Sequence, residues 1–192
     1  MGNLDSSLNI AALVDDRVGE GIFRVHKDIY TDAALYDLEV KRLFENGWIF
    51  LCHESQIPAP GDYFTTHAGR QPVFVLRQAD GSLRAFLNVC PHRGSVLLPF
   101  RQGKIQGSIN CRFHGWAFGP GGECEGITFE RAGGYPGGRA DKRHYDLTPL
   151  AHLQSYRGFV FGSLRPVAET LDEALGATRP FIDLFVDQSP QG

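Results

Sequence analysis

Cys90-Pro91-His92-Arg93-Gly94 and Cys111-Arg112-Phe113-His114-Gly115-Trp116 decide how this chain is read. Each stretch pairs one cysteine with one histidine, spaced Cys-x-His in the first and Cys-x-x-His in the second, and each is closed by glycine. Two loops thus supply two thiolates and two imidazoles, both metal-ligand types. A single Cys-x-His would be chance; two such pairs, each followed within two residues by Gly, form a specific pattern.

A Rieske-type [2Fe–2S] centre needs this donor set, with two Cys on one iron and two His on the other. The expected ligands, of metal and cofactor alike, are Cys90, His92, Cys111 and His114; no catalytic residue is assigned. A structural zinc could use the same four atoms, but zinc-finger spacings pair Cys with Cys and His with His. Replacing two thiolates by neutral imidazoles removes negative charge from one iron, which raises the potential into a range of roughly −150 to +300 mV. The electron should localise on the His-ligated iron, and the outer imidazole nitrogens can couple its uptake to a proton. Gly94 and Gly115 should let each loop turn tightly, so that backbone N–H groups point at the sulfurs. Trp116 and Phe113 are expected to shield one side of the cluster from water.

Composition narrows the class. A chain of 192 residues can hold one domain with a proper core, or one plus appendages. A net charge of −3 without runs of like charge gives no reason to expect nucleic acid. No apolar stretch reaches membrane-spanning length, and the first residues lack a secretory signal, so a cytoplasmic protein is expected. Gly2 and Ser6 fit a loose myristoylation pattern, but no second anchoring signal accompanies them. Without a secretory signal, the four cysteines read as cluster chemistry rather than disulfides. Cys52 lies in an apolar run and should be a buried thiol; Cys124 follows a glycine turn and reads as a bystander. His26, His53, His67, His144 and His152 read as surface or structural. His144, Asp146 and His152 have the residue types of a mononuclear iron site, but their loop-to-strand setting does not support one.

The pattern along the chain is mostly β. Residues 1–30 lack periodicity and read as an extended arm. Thr31 then reads as a helix N-cap with Asp32 in the first turn, followed by Leu35, Tyr36, Val40, Leu43 and Phe44 at helical spacing and a stop at Gly47. From Trp48 to about Gly162, short β-prone runs alternate with turns: 48–52, 63–66, 73–76, 85–89 and 159–161. Ala79-Asp80-Gly81 reads as a hairpin turn, and the segment from Gly115 through the turn 119–122 as a second hairpin. These imply an antiparallel β-sandwich with two cluster-binding loops, flanked by an N-terminal helix and C-terminal helical segments. Arg131–Arg143 reads as a loop. Thr170-Leu171-Asp172-Glu173 is a capping box that starts a second helix. Gly176 and Pro180 interrupt that helix, and Phe181–Val186 reads as a separate helical turn. Its apolar residues have little chain left to bury them.

Beyond the two motifs, Trp48–Gln56, Gly69–Pro72, Gly134–Pro136, Ser155–Leu164 and Val186–Pro190 resemble the benzoate and anthranilate 1,2-dioxygenase group of Rieske ring-hydroxylating oxygenase large (alpha) subunits. The resemblance covers nearly the whole chain. It implies an electron donor (a flavin-dependent reductase), a homotrimeric large-subunit ring, a possible small (beta) subunit and benzoate-like aromatic carboxylate substrates. It also implies a mononuclear Fe(II) site in a second, larger domain that this sequence does not contain. The division expected is an arm and helix over 1–47, the Rieske domain over 48–164, and the start of a truncated catalytic domain over 165–192. Such a chain should pass electrons and not hydroxylate anything alone. A stand-alone Rieske-type ferredoxin is the alternative, but such a carrier needs neither the helix over 31–46 nor the tail after Arg165. Respiratory Rieske proteins have extra cysteines beside the ligands and a serine after the second glycine; Ser95 and Trp116 stand at those places here. The missing hydrogen bond predicts a potential near the low end, about −150 mV.

Overall fold

The computed structural model describes residues 9–132, 135 and 141–189. The Gly2 pattern, much of the loop expected over 131–143 and the residues after Ser189 lie outside the described residues. Two compact units emerge, one ending at Leu43 and one beginning at Phe44. Among the described residues, no helix is long and apolar enough to cross a membrane.

The first unit corrects the expectation of an extended arm. Strands β1 (Val14–Arg17) and β2 (Ile22–Val25) pair antiparallel, with Val14 opposite Val25 and Arg17 opposite Ile22. All four residues of β1 are exposed, so no buried face imposes the alternation by which a strand is read from sequence. Helix α1 (Ala33–Glu39) is capped by Asp32 rather than Thr31: the Asp32 carboxylate accepts from the Leu35 N–H at 2.8 Å. The helix continues as a π-helical turn, Val40–Phe44. Its wider i→i+5 bonding breaks the regular period assumed from the sequence. Leu35 and Val40 are buried, whereas Tyr36, Leu43 and Phe44 stay exposed.

The second unit is an antiparallel β structure. Its strands are β3 (Ile49–His53), β4 (Asp62–Ala68), β5 (Gln71–Arg77), β6 (Leu83–Leu87), β7 (Gln102–Lys104), β8 (Ile109–Asn110), β9 (Ala117–Phe118), β10 (Cys124–Gly126), β11 (His152–Tyr156) and β12 (Phe159–Ser163). A four-stranded sheet has the order β6-β5-β4-β7, and two three-stranded sheets have the orders β11-β12-β3 and β10-β9-β8.

The run Val73-Phe74-Val75-Leu76 explains the layering. All four residues are fully buried, although successive side chains of a strand point to opposite faces. Val73 and Val75 join Leu51, Phe64, Ala85 and Val160 in one core. Phe74 and Leu76 join Tyr63, Phe86, Ile109 and Phe118 in another. The central sheet is therefore covered on both faces, which is why β5 is a continuous apolar run rather than an alternating one. The turn between β5 and β6 falls at the expected Ala79-Asp80-Gly81, where Asp80 accepts from the Ser82 N–H at 2.9 Å.

The C-terminal segments form as read. Thr170 and Glu173 make the reciprocal capping box of α2 (Leu171–Leu175), with Thr170 N–H donating to Glu173 Oε2 at 2.7 Å. Helix α3 (Arg179–Asp187) begins separately, with Pro180 in its first turn. The Tyr156 hydroxyl donates to the Asp183 carboxylate at 2.9 Å and ties α3 to β11. Phe181, Leu184 and Phe185 are exposed.

Candidate functional site

The two cysteine–histidine loops leave the same core by equivalent turns. The first lies between β6 and β7, the second between β8 and β9. In the first, Cys90 N–H donates to the Ser95 carbonyl at 2.8 Å and Gly94 N–H to the Cys90 carbonyl at 2.9 Å. In the second, Cys111 N–H donates to the Trp116 carbonyl at 2.8 Å and Gly115 N–H to the Cys111 carbonyl at 2.9 Å. Gly94 and Gly115 take φ of +74° and +71°, a left-handed conformation that glycine adopts at little cost. Each glycine is four residues after its cysteine, so the two loops share one turn even though the histidine shifts by one position.

The turns aim amides at sulfur, as expected. The N–H groups of His92 and Arg93 face the Cys90 sulfur, and those of Phe113 and His114 face the Cys111 sulfur. Both cysteines are 2 % exposed, and their thiols hydrogen-bond to each other. Burial pushes the Cys90 thiol up. Burial also opposes ionisation of Cys111, but the two amides, the Cys90 thiol and the Ser95 hydroxyl together hold it below the ordinary thiol value. Ser95 of the first loop thus supplies a hydroxyl hydrogen bond to sulfur, which corrects the expectation that such a bond is missing.

The histidines form a second pair on the outer side. Their ring centroids are 4.7 Å apart at an interplanar angle of 65°. His92 stacks on buried Trp116 at 4.4 Å and 6°, and Tyr145 braces the indole edge-on at 5.1 Å. Desolvation, aided by His114 and Arg93, lowers the His92 pKa. Trp116 is placed to exclude water as expected. Phe113 departs from that expectation: it leans on His114 at 3.9 Å but is itself 61 % exposed. The imidazole pair lies at a surface depression that Phe129 and Tyr135 also line.

Two supporting residues escape sequence reasoning. Asn88, 3 % exposed, closes the neck of the first loop: its Nδ2 donates to the Leu98 carbonyl at 2.8 Å and its Oδ1 accepts from the Leu98 N–H at 2.9 Å. An amide at the end of the apolar run Ala85-Phe86-Leu87 is the available signal. Thr128 donates to the His114 carbonyl at 2.6 Å from well beyond the motif, and no local pattern marks it.

The remaining candidates are dispersed. Asp146 accepts from the Cys124 N–H at 2.8 Å, His152 Nε2 accepts from the Val167 N–H at 3.2 Å, and His144 lies 3.5 Å from Asp141. Cys52 is buried, with its pKa raised by burial to about 12. Cys124 is also buried. All four cysteines are unbridged. Among the described residues, no three or more His, Cys, Asp or Glu side chains gather around a single point suited to one metal ion.

Residues 47–156 match the Rieske [2Fe–2S] domain family. The chain is 46 % identical over 183 residues to the toluate 1,2-dioxygenase alpha subunit of Pseudomonas putida, covering 95 % of this chain and 40 % of that protein. It is 41 % identical over 170 residues to the 2-halobenzoate 1,2-dioxygenase large subunit of Burkholderia cepacia, covering 88 % and 36 % respectively. A solved structure of naphthalene 1,2-dioxygenase with indole in its active site superposes with a TM-score of 0.74 at 39 % identity, covering 81 % of this chain and 34 % of that one. The chain thus spans well under half the length of these relatives.

Proposed function

Because this chain belongs to the Rieske [2Fe–2S] domain family, we propose that Cys90 and Cys111 hold one iron of a [2Fe–2S] cluster and His92 and His114 the other. The carrying observation is the sorting of the four side chains into a buried, hydrogen-bonded thiol pair and an outer imidazole pair. A two-iron cluster takes its protein ligands as two such pairs, whereas one zinc would gather all four around a single point.

The donor set fits the group. The amides facing both sulfurs favour thiolate over thiol, and Trp116 keeps water from the His92 side. The bound cluster supplies one-electron transfer. The chain's residues hold it, screen it and present two imidazole edges to a partner.

We further infer that residues 48–164 are the electron-transfer domain of an aromatic-ring-hydroxylating dioxygenase large subunit, preceded by an arm and helix over 1–47. Residues 165–192 begin a catalytic domain that carries the mononuclear Fe(II) site. The match to toluate and halobenzoate dioxygenase subunits supports aromatic carboxylates as the substrate class. A flavin-dependent reductase is the electron donor, a small subunit and a trimeric large-subunit ring complete the assembly, and the compartment is the cytoplasm.

Iron and acid-labile sulfide analysis of the purified chain, with EPR after dithionite reduction, tests this reading. Two irons and two sulfides with the low average g-value of a mixed Cys/His cluster are expected. Zinc, or iron without sulfide, would overturn it.

A further inference from the structure

The two cysteine–histidine loops share one turn, yet they are not braced alike. In the first, a Cβ at Gly94 would meet no atom within 4 Å. In the second, a Cβ at Gly115 would lie 2.9 Å from the Thr128 hydroxyl oxygen. The bare glycine lets that hydroxyl approach the backbone, where it donates to the His114 carbonyl at 2.6 Å. The same peptide unit is held at its other end, because Gly115 N–H donates to the Cys111 carbonyl at 2.9 Å. The His114–Gly115 peptide is therefore clamped at both its oxygen and its nitrogen.

A strained turn carries Thr128 to this place. Ile127 anchors the segment in the core from which both loops emerge. Glu130 N–H closes the turn onto the Ile127 carbonyl at 3.2 Å. Phe129, within the turn, takes φ of +60°, a left-handed conformation that is unfavourable for a bulky side chain. Its ring is 78 % exposed, so burial of that ring does not offset the strain. Strain of this kind persists only where surrounding contacts impose it, and it concentrates at functional sites.

The histidines also differ in what holds their rings. His92 stacks flat on Trp116, at 4.4 Å and 6°. His114 has no parallel ring partner among the described residues: it meets His92 at 65° and the exposed Phe113 at 36°.

We propose that Thr128 is a positioning residue for His114: its hydroxyl fixes the carbonyl of that ligand, and through it the imidazole, as the Trp116 stack fixes His92. The inference rests on the cluster reading above and adds to it a residue outside both motifs. In the first loop the residue before the glycine is Arg93, so the equivalent peptide carries no ligand. In the second it carries His114 itself, so a clamp on the backbone acts directly on the ligand.

The test compares Thr128→Val, which keeps the shape and deletes the hydroxyl, with Thr128→Ser, which keeps the hydroxyl. Iron and sulfide are measured first. Zinc, or iron without sulfide, would fail the cluster reading and leave amide exchange to decide the clamp, since exchange is read whichever metal the loops hold. In the metal-loaded Thr128→Val chain, amide exchange read by mass spectrometry should quicken about fivefold over residues 111–116, as loss of one hydrogen bond implies. It should stay unchanged over residues 90–95. Transfer of iron to a chelator should also quicken about fivefold, and the lines of the reduced EPR signal should broaden. Thr128→Ser should return all three readouts to wild type. Wild-type exchange over 111–116 in Thr128→Val would overturn the proposal. So would equal acceleration in both loops, which would mean a general loosening of the domain. Failure of Thr128→Ser to rescue would also overturn it, by assigning the effect to packing of the methyl group.

Discussion

Asn88 offers the sharpest test of how the first loop is held. Its side chain spans the neck, bonding both the carbonyl and the N–H of Leu98 at 2.8 and 2.9 Å, while its own N–H donates to the Pro72 carbonyl at 2.8 Å. Asn88→Ala keeps the last bond and deletes the other two. Each intramolecular hydrogen bond contributes about 1 kcal/mol net, and leaving a buried partner unpaired costs about 1–3 kcal/mol. Two partners at full burial would exceed about 4 kcal/mol, but Leu98 is only half-buried and water can reach its backbone in part. A loss of about 2–3 kcal/mol is expected. With a urea slope of about 2 kcal/mol/M for a domain of this size, the midpoint should fall by about 1–1.5 M. Circular dichroism at increasing urea reads the global effect. Amide exchange at Cys90, whose N–H bonds to Ser95 within the same loop, reads the local one and should accelerate. A midpoint shift below about 0.3 M with unchanged Cys90 exchange would show that the Asn88 clasp does not hold the loop.

Other perturbations act on single contacts. Glu54 accepts from the Ser155 hydroxyl and pairs with Arg77 at 2.9 Å. The Ser155 bond, then Arg77 against the opposing effect of burial, holds its carboxyl below the ordinary value. Its stabilisation is therefore present above the unfolded pKa and lost as pH falls through the folded one. Glu54→Gln should cost about 1 kcal/mol at pH 7 after allowance for solvent screening, and urea midpoints of wild type and variant should converge as the pH drops below about 4. Equal gaps at pH 7 and pH 3 would refute that linkage. Gly122 has φ of +95°, and a Cβ there would lie 2.4 Å from Phe86 Cε1. Gly122→Ala should destabilise by about 2–4 kcal/mol through backbone strain and overpacking, seen as a lower melting temperature; a change under about 1 kcal/mol would contradict the packing described. Cys52→Ala and Cys124→Ala should retain full iron and sulfide, whereas Cys111→Ala should lose both, measured by elemental analysis. Loss of iron from Cys52→Ala would bring that thiol back into the ligand question.

Much of the fold is readable because its causes are local. The Thr170–Glu173 box closes within one helical turn, and the Asp80–Ser82 contact fixes a hairpin within three residues. The run Val73–Leu76 signals a buried strand because four consecutive apolar residues need apolar surroundings on both faces. The β1–β2 hairpin is not readable because no buried face patterns it. Asp32 displaces Thr31 as cap, a choice between adjacent residues that depends on where the backbone turns. The π-helical turn at Val40–Phe44 likewise breaks a period that looks regular in the sequence.

Two short stretches of residues already carry the chemistry on offer: two thiols, two imidazoles, and a glycine four residues after each cysteine. How those groups are paired and supported follows from the packing of the sheets. The two thiols meet because both loops spring from one core; Trp116 stacks on a histidine of the other loop; and Thr128 reaches His114. Ligand types and tight turns are properties of neighbouring residues, whereas pairing and stacking depend on distances between segments, which exist only after the sheets have packed.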